Sequence, residues 1–130
     1  MSDPQEFTDL YESTLLTTWD PVQPDLPIDM AEAVRARGRD CVIMTAWNPG
    51  HERPTRAVNE AANAQMFSEL VAMGLEVWRC DGANPEGTFD EPGFCVWSQP
   101  LEDVLNVARS FGQYAVFTFD GSGQRSLLWL

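Results

Sequence analysis

One predicted helix constrains this chain more than any other segment, because two asparagines lie on its apolar face. Residues 55–73 carry apolar side chains at the spacing of one helix face, namely Met66, Phe67, Leu70 and Met73. At about 100° per residue, Asn59 and Asn63 project into this apolar stripe, one turn apart. A primary amide buried without partners costs roughly 1–3 kcal/mol. The fold must therefore supply hydrogen-bond partners for both amides, from neighbouring backbone or from a ligand.

The rest of the chain predicts further helices and strands. Helices are expected at residues 7–11, 30–37 and 100–111, and Asp29 and Gly38 are expected to cap the second of these. Strands are expected at residues 13–19, 41–47, 75–80 and 94–97, followed by a terminal hairpin of residues 114–119 and 126–130. The proline-containing stretch 20–29 is expected to be loop or sheet edge, and the acidic stretch 81–90 to be a solvated loop.

The order of these elements indicates the fold class. Residues 41–47 are nearly all apolar without alternation, which is typical of a central strand covered on both faces. A strand, helix and strand in that order form a right-handed crossover between parallel strands. We therefore predict an α/β fold, with α+β as the alternative: a single domain over residues 1–130, with a central mixed sheet, packed helices and a C-terminal hairpin.

Charge and lysine content exclude several functions. The 20 acidic and 8 basic residues give a formal net charge of −12, which repels nucleic acid, anionic lipid and nucleotide phosphates. All the basic residues are arginine, so a Schiff-base lysine and a phosphate-loop lysine are excluded. The acid surplus indicates simple solubility first. Adaptation to salt and mimicry of a phosphate backbone are the alternatives.

The cysteines, the histidine and the hydropathy predict no metal, no cofactor and no membrane segment. Cys41, Cys80 and Cys95 are scattered and odd in number, which indicates reduced core residues and not a disulfide framework or a zinc site. His51 is the single histidine, in a polar loop where a surface position is expected. No apolar run approaches the roughly 18 residues of a membrane span, and the first residues lack the features of a signal peptide. A cytoplasmic location is therefore predicted.

A candidate site lies where the central strand ends. Residues 45–49, Thr-Ala-Trp-Asn-Pro, stand at the carboxyl end of that strand, and open α/β sheets bind ligands at this position. Asn59 and Asn63 lie in the first two turns of the following helix and can face this loop. The alternative is that Asn48 and Asn59 only hydrogen-bond backbone and fix the strand-to-helix turn.

A set of short motifs spread over residues 40–120 adds to this site. They are Thr45-Ala46-Trp47-Asn48-Pro49, Asn59, Asn63, Glu91-Pro92-Gly93-Phe94 and Phe111-Gly112-Gln113-Tyr114-Ala115-Val116. Together they resemble a family of small bacterial proteins known as domain of unknown function 3293. The resemblance groups Asn48, Asn59, Asn63, Glu91 and Gln113 in one site and implies no activity.

The chain departs from the pattern of that family at three positions. Val58 replaces a glutamate that would complete a capping box with Thr55, and Ala62 replaces an arginine. Gly93 replaces a serine, so a hydroxyl nucleophile at this position is absent.

Three functions from different classes remain open. The first is a binding or regulatory module that recognises a small polar ligand or a peptide of a protein partner through the five grouped residues. The second is a small enzyme with Glu91 as general acid or base. The third is an acidic inhibitor of a nucleic-acid-binding partner. The first two differ in the pKa of Glu91: a value well above about 4.3 favours the enzyme, and a value at or below it favours the binding module. We expect the second outcome, because amide donors outnumber other neighbours in the predicted site.

Overall fold

The computed structural model describes residues 13–98 and 100–130, without the side chain of His51. The helix predicted at residues 7–11 and the surface position predicted for the His51 side chain lie outside the described residues. The strands are β1 (Leu15–Trp19), β2 (Pro27–Asp29), β3 (Cys41–Met44), β4 (Val77–Ala83), β5 (Asp90–Val96), β6 (Ala115–Phe119) and β7 (Arg125–Trp129). The helices are α1 (Met30–Arg37), α2 (Arg56–Ala72) and α3 (Glu102–Ser110), and a short 3-10 turn spans Pro49–His51.

The described strands form one seven-stranded sheet in the order β2-β1-β4-β5-β3-β6-β7. Each hydrogen-bonded pair among them is antiparallel, so the expected mixed sheet is corrected to an antiparallel one. β3 and β4 do run in the same direction, as the crossover predicts. However, β5 lies between them and pairs with both. The crossover pattern does not predict this inserted strand. Helices packed on a single sheet, with a terminal hairpin of β6 and β7, are confirmed.

The long β4–β5 hairpin explains the correction. Its register runs from Val77 opposite Val96 to Ala83 opposite Asp90, so the turn takes up only residues 84–89. The predicted loop at 81–90 is therefore wrong at both ends. Acidic residues and glycine are poor strand formers, but here β1 and β3 supply backbone partners on either side of the hairpin. β3, by contrast, ends at Met44, three residues earlier than predicted.

The helix ends follow local chemistry. Asp29 accepts a hydrogen bond from the Glu32 N–H at the start of α1, and Gly38 ends that helix in the left-handed conformation. Thr55 accepts from the Val58 N–H at the start of α2. On α2 the buried residues are Asn59, Asn63, Met66 and Leu70, while Phe67 and Met73 are exposed. The predicted stripe is therefore correct for both asparagines and wrong for those two apolar residues.

The sheet curls, and each of its faces carries a separate hydrophobic cluster. One face bears Ile43, Cys80, Cys95 and Phe117, and α1 packs on it; we call this the inner face. The opposite, outer face bears Val42, Met44 and Val96 and is covered by α2 and α3. Across the inner face, the Arg125 Nη1 of β7 donates to the Thr14 carbonyl next to β1 at 2.8 Å. Four other strands separate β1 and β7 in the sheet, so this contact shows how far the sheet curls. No helix among the described residues has the length and apolar character to cross a membrane.

Candidate functional site

Asn48 and Asn59 form a closed pair between the loop after β3 and the first turn of α2. The Asn48 backbone N–H donates to Asn59 Oδ1 at 3.0 Å, and Asn59 Nδ2 donates to Asn48 Oδ1 at 2.8 Å. Asn48 has a φ of 47°, a left-handed conformation that asparagine tolerates better than most residues. Asn59 is 3% exposed. This pair therefore fixes the strand-to-helix turn.

Asn63 joins the loop after β3 to β5 in the same manner. Its Oδ1 accepts from the Ala46 backbone N–H at 2.9 Å, and its Nδ2 donates to the Pro92 carbonyl at 3.0 Å. Thr45 Oγ1 also lies 2.6 Å from the Pro92 carbonyl. Asn63 is buried, and both ends of its amide have protein partners. The burial and hydrogen bonding predicted for Asn59 and Asn63 are confirmed, and the partners are backbone and another side chain.

A half-enclosed cavity of about 120 Å³ lies on the inner face, beyond the part that α1 covers. Its walls include Leu16, Ile43, Cys80 and Phe117 from four strands, with Arg53 and Phe89 from the loops. Three of the five predicted site residues line it: Asn48, Glu91 and Gln113. Asn59 and Asn63 do not, because they belong to α2 on the outer face of the sheet. The structure thus divides the predicted site into a structural amide cluster and a cavity.

Glu91 is the ionisable residue of β5 that lines this cavity. It is directly opposite Gly82 of β4 and lies two residues before Gly93, on the inner face. Burial raises the pKa of the Glu91 carboxyl to about 7, and the Arg53 charge opposes this increase. No described residue donates a hydrogen bond to the carboxyl. The expected pKa at or below about 4.3 is therefore wrong, because the amides that were to lower it face other atoms.

Three further groups at the cavity have unused hydrogen-bonding capacity within the described residues. The Asn48 backbone N–H donates to Asn59 Oδ1, and this orients the Asn59 amide so that its Nδ2 donates to Asn48 Oδ1. Asn48 Nδ2 therefore has no partner among the described residues. Gln113 Nε2 donates to the Trp47 carbonyl at 3.3 Å, which leaves Gln113 Oε1 as an open acceptor. The Arg53 guanidinium lies 5.6 Å from the centre of the Phe89 ring and forms no ion pair in the described part of the chain. No motif in the sequence marks Arg53 as a site residue, although it stands only five residues after Asn48.

Gly93 forms part of the cavity wall where β3 and β5 approach closely. A Cβ atom on Gly93 would lie 2.7 Å from the Met44 carbonyl oxygen and 3.0 Å from the Thr45 Cβ. A serine at this position, which the family resemblance implies, does not fit this backbone without a shift of β3. The site consequently offers no hydroxyl nucleophile at position 93.

The cysteines are buried free thiols, as predicted for core residues. Cys80 also lines the cavity, but burial raises the pKa of its thiol well above the usual range, so the reactive thiolate is disfavoured. Among the described residues no three His, Cys, Asp or Glu side chains are arranged to hold a metal ion. Of the described residues at the cavity, Glu91 can exchange protons near neutral pH, and polar side chains beside it can form hydrogen bonds.

The fold and the cavity define a small domain on a curled antiparallel sheet, with Glu91 as the one acid among the described residues that line a mainly apolar recess. The chain belongs to the family described as Protein of unknown function (DUF3293), whose model matches residues 44–116. This confirms the resemblance inferred from the sequence motifs. The match includes Asn48, Glu91 and Gln113 as well as the structural amides of α2. No curated protein and no solved structure matches the chain.

Proposed function

We propose that this chain binds a small molecule in the inner-face cavity, with Glu91 as the principal recognition group. The observation that carries the proposal is a half-buried carboxyl on the cavity wall to which no described residue donates a hydrogen bond. A buried polar group without a partner costs free energy, and a ligand that donates a hydrogen bond recovers it. Asn48 and Gln113 then orient the ligand, while Asn59 and Asn63 hold the walls and are not themselves recognition groups.

A second candidate function is general acid or base catalysis by Glu91. It is favoured by the pKa of about 7, because a group that is half protonated near neutral pH both gives and takes protons effectively. The acidic-inhibitor alternative depends on the net charge alone and gains no support from the cavity.

Binding is tested by NMR. ¹⁵N-labelled protein is titrated with a panel of small amines, amides, carboxylic acids and amino acids. We expect saturable shifts at the Asn48 and Gln113 side-chain amides and at the Gly93 backbone, with dissociation constants of about 0.1–10 mM for ligands of this size. A panel that leaves these signals unmoved up to about 10 mM contradicts the proposal.

Matched variants locate the binding. Glu91→Gln should weaken binding about tenfold or more. Glu86→Gln, which removes an exposed acid in the turn at residues 84–89, should leave it unchanged. Ala115→Leu fills the cavity from β6 without touching Glu91 and should also abolish binding. The catalytic candidate is tested in the same samples, since overnight conversion of a panel member by the native chain but not by Glu91→Gln would support it.

A further inference from the structure

We infer that the ligand of the cavity is a small amino acid in its zwitterionic form, with a short apolar side chain. This inference rests on the proposed function, because it specifies the class of molecule that the cavity binds. Its basis is the pairing of an acid and a base at one recess, together with the size and lining of that recess.

The two charged groups at the cavity are opposite in sign and do not neutralise each other directly. Glu91 and Arg53 both line the cavity, and the Arg53 charge acts on Glu91 without a hydrogen bond or an ion pair between them. Five of the seven other arginines form ion pairs with acids: Arg37, Arg39, Arg56, Arg79 and Arg109. Arg53 is solvent-exposed at the edge of the cavity, lies near the Phe89 ring and forms no ion pair with a described acid, so its guanidinium is available for an anionic ligand group.

Two side-chain amide atoms without described partners, Gln113 Oε1 and Asn48 Nδ2, add to the pair of charges formed by Glu91 and Arg53. Gln113 Oε1 accepts hydrogen bonds, as does the Glu91 carboxylate, so both suit an ammonium group. Asn48 Nδ2 donates, as does the Arg53 guanidinium, so both suit a carboxylate. The cavity therefore offers two acceptor groups and two donor groups, and an α-amino acid carries both complementary charges on adjacent carbons.

The remaining walls limit the side chain of the ligand. They are mainly apolar, with Leu16, Ile43, Met44 and Phe117 among them. A volume of about 120 Å³ is somewhat smaller than the roughly 150 Å³ cavity known to hold one benzene molecule. A side chain of three or four carbons fits this space, whereas an aromatic amino acid does not. Valine is accordingly the probe of choice.

Calorimetric titration at pH 7.5 with L-valine, isobutylamine and 3-methylbutanoate tests the inference. The amine lacks the carboxylate of valine and the acid lacks its ammonium, while the apolar part is the same. We expect valine to bind at least about tenfold more tightly than either analogue, because each analogue forms only one of the two charged contacts that valine forms.

Single variants assign the two charges. Arg53→Gln should make valine and isobutylamine bind about equally, and Glu91→Gln should do the same for valine and 3-methylbutanoate. Arg109→Gln, which changes an exposed arginine of α3, should leave the preference for valine intact.

The possible failures are distinguishable. If an analogue binds as tightly as valine, or if only other members of the NMR panel bind, the zwitterion inference is overturned and the proposed binding function stands. If valine and the whole panel leave the cavity unperturbed, the proposed function itself fails.

Discussion

At the scale of single residues, Glu91 has the clearest energetic signature. Its carboxyl is desolvated on the cavity wall, and the nearby Arg53 offsets only part of the resulting increase in pKa. The charged form is therefore unfavourable in the folded chain compared with the unfolded chain. Such a residue lowers stability at neutral pH, which is a common property of groups retained for a function.

The pH dependence of unfolding tests this environment. The folded pKa of about 7 lies above the unfolded value of 4.5, so the folded state binds more protons between these two values. Stability should therefore fall as the pH rises from about 4.5 to 7, by up to about 3 kcal/mol from this group. Glu91→Gln should remove that loss, so the variant should gain stability over the native chain at pH 8 but not at pH 5.

Urea denaturation at both pH values gives the comparison, with Glu86→Gln as the matched control. Equal pH dependence of the native chain and Glu91→Gln would show that the Glu91 carboxyl is solvated and would remove the basis of the binding proposal.

At the scale of elements, α2 acts as a clamp for the loop after β3. Asn59 reaches Asn48, and Asn63 reaches both Ala46 and the Pro92 carbonyl of β5. These bonds join α2 to the loop after β3 and to the backbone of β5, and they hold one side of the cavity. The Asn63 amide contributes more to the fold than the Asn59 amide, since it connects the loop after β3 and β5 at once.

Replacement of Asn63 by leucine should therefore destabilise the chain by about 2–4 kcal/mol, because the buried Ala46 N–H loses its partner. Gln65→Leu makes the same chemical change on the exposed face of α2 and should alter stability by less than about 0.5 kcal/mol. Thermal and urea unfolding measure both. An Asn63→Leu chain at least as stable as the native one would indicate that the amide serves a ligand and not the fold.

The elements also show what a sequence can predict. Periodicity and capping residues identified α1, α2 and both buried asparagines, because helices depend on local spacing. The β4–β5 hairpin was missed, because strand pairing stabilises acidic and glycine-containing segments that have low strand propensity. This error also placed Glu91 in a loop end beside the amides, when strand alternation puts it on the opposite face of the sheet. Arg53 was missed because no pattern in the sequence links it to Phe89 or to Glu91.

At the scale of the whole molecule, the curl of the sheet creates the cavity. Residues of β1, β4, β5, β3 and β6 line it, so a flat sheet of the same strands would leave only an open surface. Arg125 bridges the curled sheet by its hydrogen bond to the Thr14 carbonyl, and its guanidinium lies 5.0 Å from the Phe117 ring centre and 5.7 Å from that of Phe119. Desolvation by burial lowers the pKa of Arg125, yet an arginine remains charged under ordinary conditions.

Arg125→Leu should therefore loosen the inner face without unfolding the chain. The loss of a charged hydrogen bond and of the aromatic contacts should lower the free energy of unfolding by about 1–3 kcal/mol. Hydrogen exchange measured by mass spectrometry should accelerate in β1 and β7, which the contact joins, and much less in α2 and α3 on the outer face. Any ligand of the cavity should bind more weakly to the variant, since Thr14 and Leu16 form one wall.

The matched control is Arg109→Leu, which removes an exposed arginine of α3 with the same change in charge. Its exchange pattern should remain that of the native chain, because surface ion pairs contribute little to stability. Unchanged exchange in β1 and β7 of Arg125→Leu would mean that the strand pairs and the apolar cluster maintain the curl without this contact. The cavity exists only while the sheet is curled. In any variant that opens the inner face, we therefore expect weaker ligand binding to occur together with faster hydrogen exchange in β1 and β7.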